Sequence, residues 1–109
     1  MRIVLGTALV LALAGCGGSG GSSSSGTGHP TAGKQVFLDN DCGACHTLKA
    51  AGADGTRGPN LDKVDLGSFD DVVKIVTKGK NVMPSYEEQL SPQQIDDVSA
   101  YVLQAAGGG

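Results

Sequence analysis

Two thiols and an imidazole stand together at Cys42-Gly43-Ala44-Cys45-His46. Cysteines three apart on one short turn can both reach the two vinyl groups on one edge of a porphyrin and form thioethers. The histidine that follows at once brings its ring beneath the iron, and this order is the attachment signature of a c-type haem. Iron held in this way needs a ligand on its other face. The chain has two methionines, and once an N-terminal leader is removed Met83 is the only one left. Pro84 keeps Met83 in extended backbone and stiffens the loop after Gly79, so the thioether can be presented to the open face. A lone methionine is ordinarily a core filler. Beside Cys-x-x-Cys-His, with no other soft ligand available, Met83 is the candidate sixth ligand.

A haem with both faces filled has no open position for substrate or oxygen, so the expected role is the passage of one electron and not enzymatic turnover. The thioether favours ferrous iron and raises the reduction potential. Three alternatives stay open at this point. A displaceable Met83 would make the chain a haem-based sensor or a peroxidase-like enzyme, with His29 as a distal acid-base candidate. A thioredoxin-like oxidoreductase also uses Cys-x-x-Cys, but it requires a βαβ pattern that this sequence lacks. Zinc on Cys42, Cys45, His46 and His29 is the last alternative, although adjacent Cys45-His46 is poor tetrahedral spacing.

Three helices must position these groups, and no stretch shows the period-two alternation of a strand, which predicts an all-α domain. The first helix starts near Thr31, carries Val36 and Phe37 on one face and frays before the Cys42 turn. Its acidic stretch Asp39-Asn40-Asp41 suits a loop better than a helix C-terminus. The second follows Ser68, with Asp71 placed for a capping box and Phe69, Val72, Val73 and Val76 at i, i+3, i+4 and i+7. Lys78 and Gly79 end it. The third opens with Ser91-Pro92-Gln93-Gln94, which supplies an N-cap hydroxyl, a proline where no amide hydrogen is needed and a glutamine to complete a capping box. Ile95, Val98, Tyr101, Val102 and Ala105 form its buried side, and the closing glycines stop it.

The first part of the chain reads as a leader. Met1-Arg2 carries one positive charge, residues 3–14 are apolar apart from Gly6 and Thr7, and Ala14-Gly15 precede Cys16. Twelve apolar residues fall well short of the roughly 20 that cross a bilayer as a helix. Leu13-Ala14-Gly15-Cys16 resembles the bacterial lipobox, whose cysteine is acylated and becomes the new N-terminus. Lipidation would also use the one cysteine of three that haem attachment leaves over. Residues 17–28 contain only Gly, Ser and one Thr. That composition behaves as flexible coil with a root-mean-square span of about 17–21 Å. The expected organisation is a lipoprotein signal peptide over 1–15, a lipidated Cys16 with its tether over 16–28, and one folded domain over 29–109.

That domain is small, and its aromatics are only Phe37, Phe69, Tyr86 and Tyr101, with no Trp. A core made of side chains alone is marginal at this size. Burying a few hundred Å² of porphyrin would add on the order of 5–10 kcal/mol at about 25 cal/mol per Å², so the haem-free chain is expected to be largely unfolded. The formal charge is −3 from 8 basic and 11 acidic residues, and losing Arg2 with the leader makes it −4. Nucleic acid is disfavoured as a partner, since that chemistry needs a basic surface. The acidic pairs Asp70-Asp71, Glu87-Glu88 and Asp96-Asp97 read as solvated helix ends.

Taken together, the domain resembles the small monohaem class I cytochromes c of bacterial electron transport. The resemblance rests on Gly33 and Phe37, on Cys42, Cys45 and His46, on Arg57-Gly58-Pro59-Asn60-Leu61, on Lys80-Asn81-Val82-Met83-Pro84 and on Tyr101. It implies the compact cytochrome c fold of three main helices around one covalent haem c, with His46 and Met83 as axial ligands. It also implies that the Pro59 carbonyl accepts a hydrogen bond from the other ring nitrogen of His46 and so fixes its tautomer and basicity. Gly33 would let the first and last helices cross closely, with Phe37 and Tyr101 beside the haem. The segment from Phe37 to Cys42 is a residue longer than in many such proteins. The implied role is a lipid-tethered carrier on the extracytoplasmic side of a membrane. It would exchange electrons with a redox donor and acceptor such as a quinol oxidoreductase and a terminal oxidase.

Overall fold

The computed structural model describes residues 28–107. The leader, Cys16 and nearly all of the tether lie outside the described residues, as do the last two glycines. Three helices carry the architecture: α1 (Pro30–Asp39), α2 (Phe69–Lys78) and α3 (Pro92–Ala105). Loops between α1 and α2 include two single-turn 3-10 segments, Cys42–Ala44 and Lys49–Ala51.

The caps explain where the helices begin. In α2 the Ser68 hydroxyl accepts from the Asp71 amide at 3.1 Å and the Asp71 carboxylate accepts from the Ser68 amide at 3.0 Å. Ser91 and Gln94 repeat the exchange at α3, at 3.1 and 2.9 Å. Each box satisfies two amides that have no partner inside the helix. Helix α1 starts at Pro30, where the missing amide hydrogen costs nothing.

Packing centres on the crossing of α1 over α3. Gly33 is buried, and a Cβ placed on it would strike the Asp97 carbonyl and come within 2.7 Å of Tyr101 Cβ. Only glycine lets the two backbones approach so closely. Phe37 and Tyr101 then meet edge to face, with ring centroids 5.9 Å apart and planes at 64°, a favoured aromatic geometry. Leu48, Leu61, Leu90, Ile95, Val98 and Val102 complete the buried cluster.

Helix α2 contributes little to that cluster. Of its apolar face only Val72 is fully buried, because the face fronts a cavity instead of a packed neighbour.

Two sequence expectations need correction, and one local feature goes beyond what the sequence showed. Thr47–Leu48 (β1) pairs antiparallel with Ala53–Asp54 (β2), a ladder too short to show any alternation. Helix α1 runs through Asp39, and Asn40 closes it by donating both its amide and its side-chain Nδ2 to the Val36 carbonyl, at 3.1 and 2.8 Å. Asp97 is not a solvated helix end. It is 6% exposed and accepts from the His29 amide and from Gln93 Nε2, both at 2.8 Å, which ties the start of α1 to α3.

Candidate functional site

The Cys-x-x-Cys-His segment is shaped by two backbone features. Asp41 takes a left-handed conformation at φ 55°, which aspartate tolerates better than most residues. That residue joins α1 to the single turn Cys42–Ala44. The Cys42 carbonyl then accepts from both the Cys45 and His46 amides, at 3.3 and 3.0 Å. The tight turn places Cys42, Cys45 and His46 on the wall of one cavity.

The cavity holds about 390 Å³, within the range of small-molecule sites. Met83 lines it too, as do Leu61, Val72, Val76, Leu90, Val98 and Val102. The sequence-predicted attachment and ligand residues, separated by up to 41 positions, therefore share one largely aliphatic chamber. Phe37 also lines it, whereas Tyr101 sits behind Phe37 and does not.

His46 Nδ1 lies 2.8 Å from the Pro59 carbonyl oxygen. A carbonyl can only accept, so Nδ1 carries the proton and Nε2 keeps its lone pair for a metal. The loop that presents Pro59 is sewn to the cysteine turn, with the Gly58 amide donating to the Cys45 carbonyl at 2.7 Å and the Leu61 amide to the Thr47 carbonyl at 3.0 Å.

Met83 stands at the end of a turn in which Lys80 and Met83 exchange backbone hydrogen bonds of 3.2 and 2.9 Å. Asn81 takes φ 56° to make this turn, and Val82 at its tip is 86% exposed.

Cys42 and Cys45 are not joined in a disulfide. Burial pushes the Cys42 thiol up to about 11, so it is protonated at neutral pH. A thiol-disulfide catalyst requires the opposite shift, and the described residues form no βαβ unit. Among the described residues no three His, Cys, Asp or Glu side chains are grouped to hold a metal ion, which is not the arrangement of a zinc site. His29 caps α1 at the Asp97 side and does not line the cavity.

Two residues that sequence reasoning did not assign to the site belong to its surroundings. Tyr86 lines the cavity, and its hydroxyl approaches the Asn40 carbonyl at 3.5 Å. Burial, with the nearby Cys42 next in weight, raises its phenol above the ordinary value. Its place three residues after Met83 was the only available signal. Asp62 bridges the Lys49 amide at 2.9 Å and the Gly107 amide at 2.8 Å, a long-range role with no sequence signature.

The donor set fits a covalently attached porphyrin: two thiols on one turn, an imidazole with a fixed tautomer, and an aliphatic chamber. Comparison with known proteins agrees. The family model described as cytochrome c oxidase, cbb3-type, subunit III, matches residues 28–102. A cytochrome c6 from Limnospira maxima is 41% identical over 96 residues, covering 75% of this chain and 99% of that protein. One from Nostoc sp. is 37% identical over 82 residues, covering 65% of this chain and 66% of that protein. The crystal structure of the c-type cytochrome SorU from Sinorhizobium meliloti superposes with a TM-score of 0.65 at 38% identity, covering 71% of this chain and 90% of that one. The chain belongs to the small class I c-type cytochromes, a family of electron carriers with the cytochrome c fold and a covalent c-type haem.

Proposed function

We propose that the chain is a single-electron carrier whose haem is attached through Cys42 and Cys45 and ligated by His46 Nε2 and Met83 Sδ. The observation that carries this reading is the convergence of all four residues on one aliphatic cavity. When bound, the haem supplies a centre that gains and releases one electron.

The protein's residues do the rest. The Pro59 carbonyl holds the His46 proton on Nδ1 and makes Nε2 a stronger donor to the ferric state. Met83 opposes this by favouring the ferrous state. Leu61, Val72, Val98 and their neighbours exclude water, which disfavours extra charge at the centre. Because neither ligand has to leave, little must reorganise as the electron passes.

The cavity mouth is the face for redox partners. Val64, Ile75 and Val82 line it while remaining 41%, 37% and 86% exposed. Arg57, Lys80, Asp41 and Asp65 supply a charged rim of both signs. An exposed apolar centre inside a charged rim suits brief, repeated docking better than permanent association.

The tethering reading completes the proposal. Residues 1–15 direct export, Cys16 is acylated, and the Gly/Ser segment lets the domain reach a membrane donor and acceptor, for which a quinol oxidoreductase and a terminal oxidase are the candidates. The family description, which names an oxidase subunit, supports the second. Replacing Cys16 by Ser should then release the protein from the membrane fraction and remove the acyl mass.

The deciding experiment is an absorption spectrum with intact mass on protein made in cells able to attach haem. Covalent haem with a low-spin spectrum in both oxidation states, and a ferrous form that does not bind carbon monoxide at neutral pH, are expected. Ready binding of carbon monoxide would make six-coordination by Met83 untenable and favour the sensor or peroxidase-like alternative.

A further inference from the structure

Gly58 has no side chain to bring to the cavity it lines, yet His46 is built around it. A Cβ on Gly58 would stand 2.6 Å from His46 Cε1, 2.8 Å from Nδ1 and 3.2 Å from Nε2. Real Cβ atoms essentially never approach other heavy atoms within 3.0 Å. The glycine is not there for its backbone, because the positive-φ glycines are Gly52, Gly67, Gly79 and Gly107 and do not include it. The three heavy atoms nearest to an added Cβ all belong to the imidazole, so it is the ring that a side chain at position 58 would meet first.

The surroundings leave the ring few ways to evade an added methyl. The Gly58 amide is fixed to the Cys45 carbonyl at 2.7 Å, one residue before His46, and the next residue, Pro59, holds Nδ1 at 2.8 Å. If the ring turns away from position 58, Nδ1 leaves the Pro59 carbonyl. If the 58–59 backbone retreats, the carbonyl leaves Nδ1. Either motion weakens the same hydrogen bond.

We infer that Gly58 is a positioning residue for His46: the gap it leaves sets the plane of the imidazole and keeps the Nδ1 proton on Pro59. The inference rests on the reading of His46 as an axial ligand. Loosening the bond to Pro59 makes the imidazole a weaker donor, which stabilises the ferric state less and raises the midpoint potential. Rotation of the ring also changes the anisotropy of the low-spin ferric iron.

The test compares Gly58→Ala with Gly52→Ala, both in the haem-loaded protein. Gly52 has φ 66° and open space within 4 Å of where a methyl would stand, so its variant strains the backbone without meeting a ring. Gly58→Ala should raise the midpoint potential and shift the ferric EPR g values, while Gly52→Ala lowers thermal stability and moves neither. Unchanged potential and g values in Gly58→Ala overturn the inference. Should Gly58→Ala yield no haem-loaded protein, adding Pro59→Gly frees the loop to swing aside. Recovery with a raised potential supports the clash, and no recovery, or recovery with wild-type potential and g values, overturns it. A wild-type ferric protein that is high-spin at neutral pH would instead count against the axial-ligand reading itself.

Discussion

The two walls that present His46 and Met83 are built differently. On the His46 side, segments far apart in the chain are stitched together: Gly55 to Gly43, Gly58 to Cys45, Leu61 to Thr47 and His46 to Pro59, at 3.1, 2.7, 3.0 and 2.8 Å. On the Met83 side the bonds are local. Lys80 pairs with Met83, the Ser85 hydroxyl donates to the Thr77 carbonyl at 2.6 Å, and the Tyr86 amide donates to the Val76 carbonyl at 3.1 Å. Among the described residues that wall reaches the cysteine side by hydrogen bonding only through the Tyr86 hydroxyl, at 3.5 Å from the Asn40 carbonyl. Local stability follows such ties. The polypeptide therefore holds the imidazole through ties to distant segments, whereas the loop that carries Met83 is held by its near neighbours in the chain.

The largest expected effect removes what both walls share. Replacing Cys42 and Cys45 by Ala abolishes covalent attachment, and the chamber of about 390 Å³ then stands without its filling. Its apolar lining is then left to water, in a small domain whose whole stability is about 5–15 kcal/mol. Calorimetry should show no cooperative transition in the haem-free chain. A sharp transition there would mean that the helices support themselves.

Met83→Ala breaks the comparison on one side only. The protein should keep its covalent haem and lose about 2 kcal/mol or more of stability. Its potential should fall, and ferrous carbon monoxide binding should appear. Gly33→Ala sharpens the contrast from outside either wall. Its methyl would collide with the Asp97 carbonyl in the α1–α3 crossing, at a cost of about 1–3 kcal/mol. Denaturant titration should register the loss while the midpoint potential stays where it was.

What the sequence made legible divides along the same line. Helices, caps and the cysteine turn were readable because each is specified within a few residues: Ser68 with Asp71, Ser91 with Gln94, Cys42 with Cys45. The convergence of Met83 on the Cys42 turn followed from chemistry, since the iron needs a second axial donor. The long-range ties were not readable. Asp97 looked like one more surface acid because nothing local reveals that the His29 amide, 68 residues away, ends at its carboxylate. The Thr47 to Asp54 ladder is too short to carry a period, and Tyr86 is one aromatic in a polar run.

The caps themselves give the next smaller effect. Ser68→Ala and Ser91→Ala should each cost about 1 kcal/mol, but α2 is the helix bonded to the Met83 loop, through Ser85 to Thr77 and Tyr86 to Val76. Hydrogen exchange should therefore show faster opening of the Met83 wall in Ser68→Ala and not in Ser91→Ala.

The smallest effect concerns acid and the His46 wall. Asp62, next in the chain to Leu61, accepts from the Lys49 and Gly107 amides, and these two bonds hold its carboxyl below the ordinary carboxylate value. A lowered value means that the unfolded chain binds the proton more readily. The stabilisation is therefore complete above the unfolded value of 3.8 and is lost as the pH falls through the folded one. Both bonds are open to water, so the loss is modest. Asp62→Asn cannot take up that proton and keeps an oxygen for only one of the two amides. Its melting temperature should lie slightly below wild type at neutral pH, and the gap should narrow as the pH drops below about 4. A gap that stays constant down to about pH 2 would mean that Asp62 packs the wall without its charge contributing.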